Sequence, residues 1–146
     1  MQGLPHHYRV TATSATRGDV SLTASGLPEL VTQAPAEFGG PGDRWSPETL
    51  LAAAVADCFV LSFRAIANAS KFDYTSIECE AEGILDRVER SMQFTAFTVR
   101  ARLIVPTGAD EARARKLLEK AEQSCLITNS LNCETHLEAQ VISAGG

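Results

Sequence analysis

Residues 46–69 read SPETLLAAAVADCFVLSFRAIANA, and this stretch decides the fold. Ser46 is a good N-cap, Pro47 suits the first helical position and Glu48 places an acid in the first turn, so a helix starts here. The run that follows has no internal glycine or proline and predicts a helix reaching about Ser70. Leu50, Leu51, Val55, Phe59, Val60, Leu61, Phe63 and Ile66 cover several faces of it. A helix apolar on most of its circumference needs partners on more than one side, and a chain of 146 residues has little else to offer. A homodimer is the economical solution. Asp57 and Arg64 interrupt the apolar run, which argues against a membrane span. Midway along sits a thiol, Cys58.

Outward from the helix, the pattern changes from helical to alternating. Tyr8, Val10 and Ala12 alternate with Arg9, Thr11 and Thr13, and with Arg17-Gly18-Asp19 and Val20 to Ala24 they predict a hairpin. Gly26 to Asp43, GLPELVTQAPAEFGGPGD, reads as a surface loop. After the helix, Ile77, Cys79, Ala81, Gly83 and Leu85 share one face of a strand with Glu78, Glu80 and Glu82 on the other. Phe97, Val99, Ala101, Leu103 and Val105 repeat this, with Arg100 and Arg102 outward. A hairpin through residues 86–92 would let the glutamates and arginines pair across neighbouring strands. Asp110 to Ser124 has the spacing of an amphipathic helix, with Cys125 at its end. A last strand, Glu134 to Ile142, places Leu137, Ala139 and Val141 in phase with Cys133. The element order does not alternate strand and helix, so the expected class is α+β, a mostly antiparallel sheet around the long buried helix, in a single domain 1–146.

Composition excludes several classes. A net charge of −5 with 13 scattered basic residues gives no footprint for nucleic acid. The start, MQGLPHHYRV, lacks the basic and apolar regions of a secretion signal, which predicts a cytoplasmic protein with reduced thiols. The sequon Asn68-Ala-Ser70 is then a chance match. Cys79 and Cys133 follow the apolar faces of strands and read as structural. Cys58 and Cys125 also lie on apolar helix faces, and spacing alone leaves a packing role open for both. A zinc site from Cys125, Cys133 and His136 has a plausible short spacing but no second close pair.

Phe38-Gly-Gly-Pro-Gly-Asp-Arg-Trp-Ser-Pro-Glu-Thr-Leu-Leu-Ala-Ala-Ala-Val-Ala-Asp-Cys-Phe59, taken with Ala121-Glu-Gln-Ser-Cys-Leu-Ile-Thr-Asn-Ser-Leu131, resembles the OsmC/Ohr family of osmotically induced and organic hydroperoxide resistance proteins. The resemblance implies an OsmC-like fold in an intertwined α+β homodimer that reduces organic hydroperoxides, with Cys58 as peroxidatic thiol, Cys125 as resolving thiol and Glu48 as the family's glutamate. It implies no metal and no organic cofactor, and an external dithiol reductant of lipoyl type. Arg17, in a turn like that of the hydroperoxide resistance branch, is favoured as the activating arginine, with Arg44 the alternative.

The chemistry asks for these types independently. Attack on an O–O bond needs a thiolate, and burial raises a thiol's pKa, so a fixed cation is expected nearby. Arginine supplies one and a carboxylate can hold it. Glu48 and Cys58 are ten residues apart, about 15 Å along a regular helix, too far to share one arginine. The glutamate is therefore expected to serve the partner subunit's thiol. Phe38, Phe59 and Phe63 are candidates for an apolar substrate pocket. Two departures from the family pattern stand out: Asp57 before Cys58, where a small residue is common, and Leu126 after Cys125, where proline is common. The rival readings are a dimeric carrier of small hydrophobic ligands with inert thiols, and a thioesterase built on another sheet wrapped around a helix.

Overall fold

The computed structural model describes residues 2–144 and gathers the chain into two compact units, residues 1–51 and 52–146. In the first unit, β1 (Thr11–Thr13), β2 (Val20–Thr23) and β3 (Leu30–Thr32) form an antiparallel meander. The turn at Arg17-Gly18-Asp19 joins β1 to β2, with Gly18 at φ 92°, a left-handed conformation that favours glycine. The expected hairpin is therefore present. The expected loop Gly26 to Asp43 is not wholly irregular: its Leu30-Val31-Thr32 run pairs with Val20 to Leu22 as β3, and Ala36–Phe38 makes one 3₁₀ turn. Three residues are too few for periodicity to separate from the flanking glycines and prolines.

Helix α1 spans Pro47–Ala69, within one residue of expectation. Ser46 caps it: its hydroxyl accepts from the Thr49 N–H at 3.2 Å, and the Thr49 hydroxyl accepts from the Ser46 N–H at 2.8 Å. This is a reciprocal capping box with threonine in place of the usual acid.

The second unit holds a three-stranded sheet ordered β4 (Ser76–Val88), β5 (Ser91–Val105), β6 (Glu134–Ser143). Strands β4 and β5 form a long hairpin closed at Glu89-Arg90, with Val88 opposite Ser91 and Glu89 at φ 59°. Strand β6 lies parallel to β5, from Ala96 opposite Glu134 to Val105 opposite Ser143. A parallel neighbour needs a crossover, supplied by α2 (Glu111–Ser124), which lies beside β6 and is capped by the Asp110 carboxylate accepting from the Arg113 N–H at 3.0 Å. The sheets are thus mostly antiparallel with one parallel pair. On the solvent face Arg100 bonds Glu80 at 2.9 Å and Glu82 at 2.8 Å, with Glu138 at 3.7 Å, the cross-strand pairing that the alternation predicts.

The core of this unit joins three faces. Helix α1 contributes Val55, Phe59, Phe63 and Ala67, residues four apart and so on one stripe, while β5 contributes Phe97, Val99, Ala101, Leu103 and Val105, and α2 contributes Ala114, Leu117, Leu118 and Ala121. Phe63 meets Tyr74 edge to face at 5.1 Å. By length and composition α1 is apolar enough to cross a membrane, yet only 22% of that stretch is buried within the chain. Leu61, half exposed at 50%, marks a face of α1 that this chain does not cover.

Packing where β4 faces β5 depends on an absent side chain. A Cβ on Gly83 would stand 2.6 Å from Phe97 Cε1 and 2.9 Å from Phe94 Cε1, and those two rings pack at 5.0 Å between centroids. Phe97 is fully buried and has little room to retreat. Gly83→Ala is therefore expected to destabilise the fold by about 1–3 kcal/mol, read as a lower urea midpoint.

Candidate active site

Cys58 lies midway along α1, on a face adjacent to the core stripe, and is partly exposed. Cys125 occupies the junction between α2 and a short helix α3 (Leu126–Asn129), closing one and opening the other, and is 1% exposed. Burial alone would raise the Cys58 pKa. Against it, hydrogen bonds to the sulfur from the Ile127 N–H, the Cys125 thiol, the Ser62 hydroxyl and the Leu126 N–H together hold it below the ordinary thiol value. The Ser62 oxygen is 4.0 Å from the sulfur. The two expected thiols are therefore within hydrogen-bonding reach of each other.

The N–H groups at the start of a helix have no partners inside it, and here two of them serve a sulfur. No arginine is among the principal groups acting on that thiol. The other cysteines behave oppositely. Cys79 is pushed up to about 11, chiefly by burial and then by Cys125 and Glu80, and burial raises Cys133 as well. Both suit packing roles. Among the described residues no three His, Cys, Asp or Glu side chains gather as a metal-binding group, so Cys125, Cys133 and His136 are not assembled as a zinc set.

A cavity of about 440 Å³ opens at Cys58, lined by Ala54, Asp57, Leu61 and Ser62 of α1 and by Leu126 and Ile127 of α3. Phe59 and Phe63, expected in the pocket, instead lie 1% and 0% exposed in the core and do not line it. The helical periodicity explains this: both fall on the Val55–Ala67 stripe, which the sheet claims first. Their place in the cavity is taken by Leu61, Leu126 and Ile127. Phe38 lies in the first unit, 46% exposed at the end of the 3₁₀ turn.

The three charged candidates also belong to the first unit. Arg44 pairs with Asp19 at 3.5 Å, Gln33 also bonds Asp19 at 3.0 Å, and Arg17 is exposed on the β1–β2 turn. Glu48 Oε1 is buried and has no hydrogen-bond partner among the described residues, and neither arginine pairs with it. The expected carboxylate and arginine pair is thus not assembled within one chain.

Two residues of the site escaped the sequence reading, Ser62 and Ile127, while Leu126 stood out there only as a departure from the family pattern. Ser62 was accessible to it, since residues four apart on a helix are neighbours. Helix α3, with four residues, is too short for any periodic signal.

Leu126 permits a selective test. Proline is well tolerated at the first position of a helix, and Cys125 at φ −67°, ψ 106° already has the extended conformation that a residue before proline requires. Leu126→Pro therefore removes one N–H from the sulfur with little other change. The Cys58 pKa is expected to rise, so that its alkylation by iodoacetamide requires higher pH than in the native protein, while helicity stays constant.

Comparison with known proteins identifies the family and the fold. The sequence profile of the family described as OsmC-like protein matches residues 40–140. The Bacillus subtilis (strain 168) protein YmaD is 30% identical over 146 residues, 96% of this chain and 97% of its own. The Escherichia coli (strain K12) peroxiredoxin OsmC is 30% identical over 98 residues, 67% of this chain and 68% of its own. A solved structure from Legionella pneumophila, an organic hydroperoxide resistance protein OsmC, aligns with a TM-score of 0.75 at 26% identity, covering 96% of this chain and 99% of that one.

Proposed function

The chain belongs to the OsmC-like protein family and has its fold, and from that premise we propose that it is a thiol peroxidase reducing organic hydroperoxides through Cys58 and Cys125. The observation that carries this reading is the pairing of a thiol held below its ordinary pKa, at the wall of an open cavity, with a buried second thiol within hydrogen-bonding reach. The Cys58 thiolate attacks the distal oxygen of the hydroperoxide, and the O–O bond breaks with its electron pair leaving on the alkoxide, which takes a proton to become the alcohol. Cys58 is then a sulfenic acid. The Cys125 thiol displaces its hydroxyl, forming the disulfide and releasing water, which protects Cys58 from further oxidation. An external dithiol of lipoyl type reduces the disulfide in a cytoplasm that keeps thiols reduced. No metal or organic cofactor enters these steps.

The activating arginine comes, on this reading, from a second copy. Two observations support a homodimer: the buried, unpartnered Glu48 Oε1 and the large uncovered part of α1. In that assembly Glu48 of one subunit orients Arg17, or Arg44 in the alternative, toward the thiol of the other, and Phe38 reaches the pocket. Arg44 is already engaged by Asp19, which leaves Arg17 the freer of the two. The chain acts as a single domain completed by its partner.

One equivalent of cumene hydroperoxide added to the reduced protein tests the proposal. The intact mass is expected to fall by two hydrogens, with a Cys58 to Cys125 disulfide in the peptide map. An unchanged mass would overturn it and favour the carrier of small apolar ligands, for which Leu61, Leu126 and Ile127 provide the cavity wall.

A further inference from the structure

Polar groups join α1 to α2 at two well separated places. At one, Cys58 and Cys125 lie within hydrogen-bonding reach, and Leu126 and Ile127 stand with Cys58 in the cavity wall. At the other, the guanidinium of Arg113, in the first turn of α2, donates to the Ser70 carbonyl just past the end of α1. The way α1 ends leaves that carbonyl to be met from outside. The Phe72 N–H donates to the Ala67 carbonyl at 2.9 Å and the Lys71 N–H to the Asn68 carbonyl at 3.2 Å, around Lys71 at a left-handed φ of 52°. This closure satisfies carbonyls within the last turn and not the one of the residue before the left-handed position. The Arg113 guanidinium also stands 5.5 Å over the ring of Phe72, which is buried, so a cation–π contact holds it over the same helix end. Spacing links the two places. Cys58 precedes Ser70 by twelve residues, and Arg113 precedes Cys125 by twelve. At ~1.5 Å per residue each helix carries its contact groups about 18 Å apart, and because the early group of one meets the late group of the other, the two run in opposite directions with matched lengths between contacts.

We propose that Arg113 is a positioning residue: its grip on the end of α1 sets the axial register of α1 against α2 and so holds Cys125 where it can close a disulfide with Cys58. The apolar stripes of both helices are buried in one core, but burial of apolar area is non-directional, whereas a donor aimed at one carbonyl fixes one axial position. The charge of Arg113 does not itself act on the thiol, since about 18 Å along the helix exceeds the Debye length of about 8 Å at physiological salt. The resolving role this gives Cys125 rests on the peroxidase reading above. The placement of one sulfur beside the other does not, and it can be measured without a hydroperoxide.

The experiment equilibrates the full-length native protein, Arg113→Met, Arg113→Lys and Gly83→Ala with mixtures of glutathione and glutathione disulfide. Two protein thiols and one glutathione disulfide give one protein disulfide and two glutathione thiols, so the equilibrium constant reads the effective concentration of one sulfur at the other. Methionine keeps an apolar stem against Phe72 and loses the donor, and lysine restores a charged donor. The constant for the Cys58 to Cys125 disulfide, followed by peptide mass, is expected to fall roughly tenfold in Arg113→Met and to return to within about twofold of the native value in Arg113→Lys. Gly83→Ala weakens the fold through β4 and β5, and is expected to keep the native constant at a lower urea midpoint. An unchanged constant in Arg113→Met overturns the proposal. So does a fall that lysine does not reverse, or an equal fall in Gly83→Ala, either of which would trace the effect to general loss of packing. If the constants change as expected while cumene hydroperoxide forms no disulfide in the native chain, Arg113 positions the thiols and it is the peroxidase reading that fails.

Discussion

Cys58→Ser is expected to abolish hydroperoxide reduction, lowering the second-order rate by roughly a thousandfold or more, because a serine hydroxyl ionises far above neutral pH and its oxygen cannot form the sulfenic acid through which turnover passes. Its effect should differ in kind from that of Cys125→Ser. With Cys125 replaced, the first attack still occurs, since the Ile127 N–H, Ser62 hydroxyl and Leu126 N–H continue to favour the thiolate. The sulfenic acid then has no neighbouring thiol and proceeds to the sulfinic acid with excess peroxide. Intact mass separates the cases: no change for Cys58→Ser, and addition of oxygen at Cys58 for Cys125→Ser. Equal and full turnover in both variants would remove Cys58 and Cys125 from the chemistry. Cys79 is not expected to substitute for either. With its pKa at about 11, its thiolate is scarce near neutral pH.

The second large effect concerns the core. Phe97 is fully buried on β5, stacks against Phe94 at 5.0 Å and lies directly opposite Gly83. Phe97→Ala is expected to cost about 3–5 kcal/mol, from lost transfer energy and the cavity left behind. Against a typical total of about 5–15 kcal/mol, that brings the fold near its threshold. Urea unfolding monitored by circular dichroism should show a markedly lower midpoint with little change in slope. Pairing it with Gly83→Ala gives a further check, because the alanine Cβ clashes with the Phe97 ring. The double variant should cost less than the sum of the singles, and strict additivity would contradict the close contact.

Local pattern carried much of the architecture. Ser46, Pro47 and Glu48 mark the start of α1 to within a residue, and the alternations around Cys79, Ala101 and Leu137 assign β4, β5 and β6 to their correct faces, except that a register shift between Ile84 and Leu85 turns Leu85, expected inward, out to solvent. These signals are legible because burial imposes a period of two or 3.6 on any element that shares its faces between core and solvent. Elements too short to show a period, β3 and α3, were not legible. The direction of β6 was equally hidden, since a strand's own alternation is the same whether its neighbour runs parallel or antiparallel.

For the site, the chain by itself determined which residues have the right chemistry: Cys58 on an apolar helix, Cys125 at the end of an amphipathic one, and the unexpected Asp57 and Leu126 beside them. The tertiary structure alone decided what surrounds those residues. It turned Phe59 and Phe63 into the core, put Leu126 and Ile127 against the sulfur, and opened the cavity on the Asp57 side. The reason is physical. A thiol's reactivity is set by donors, charges and water within a few ångströms of its sulfur, and residues distant in sequence supply them. Which face of α1 the sheet covers, and which it leaves open, is fixed only when all the apolar faces compete for the same core.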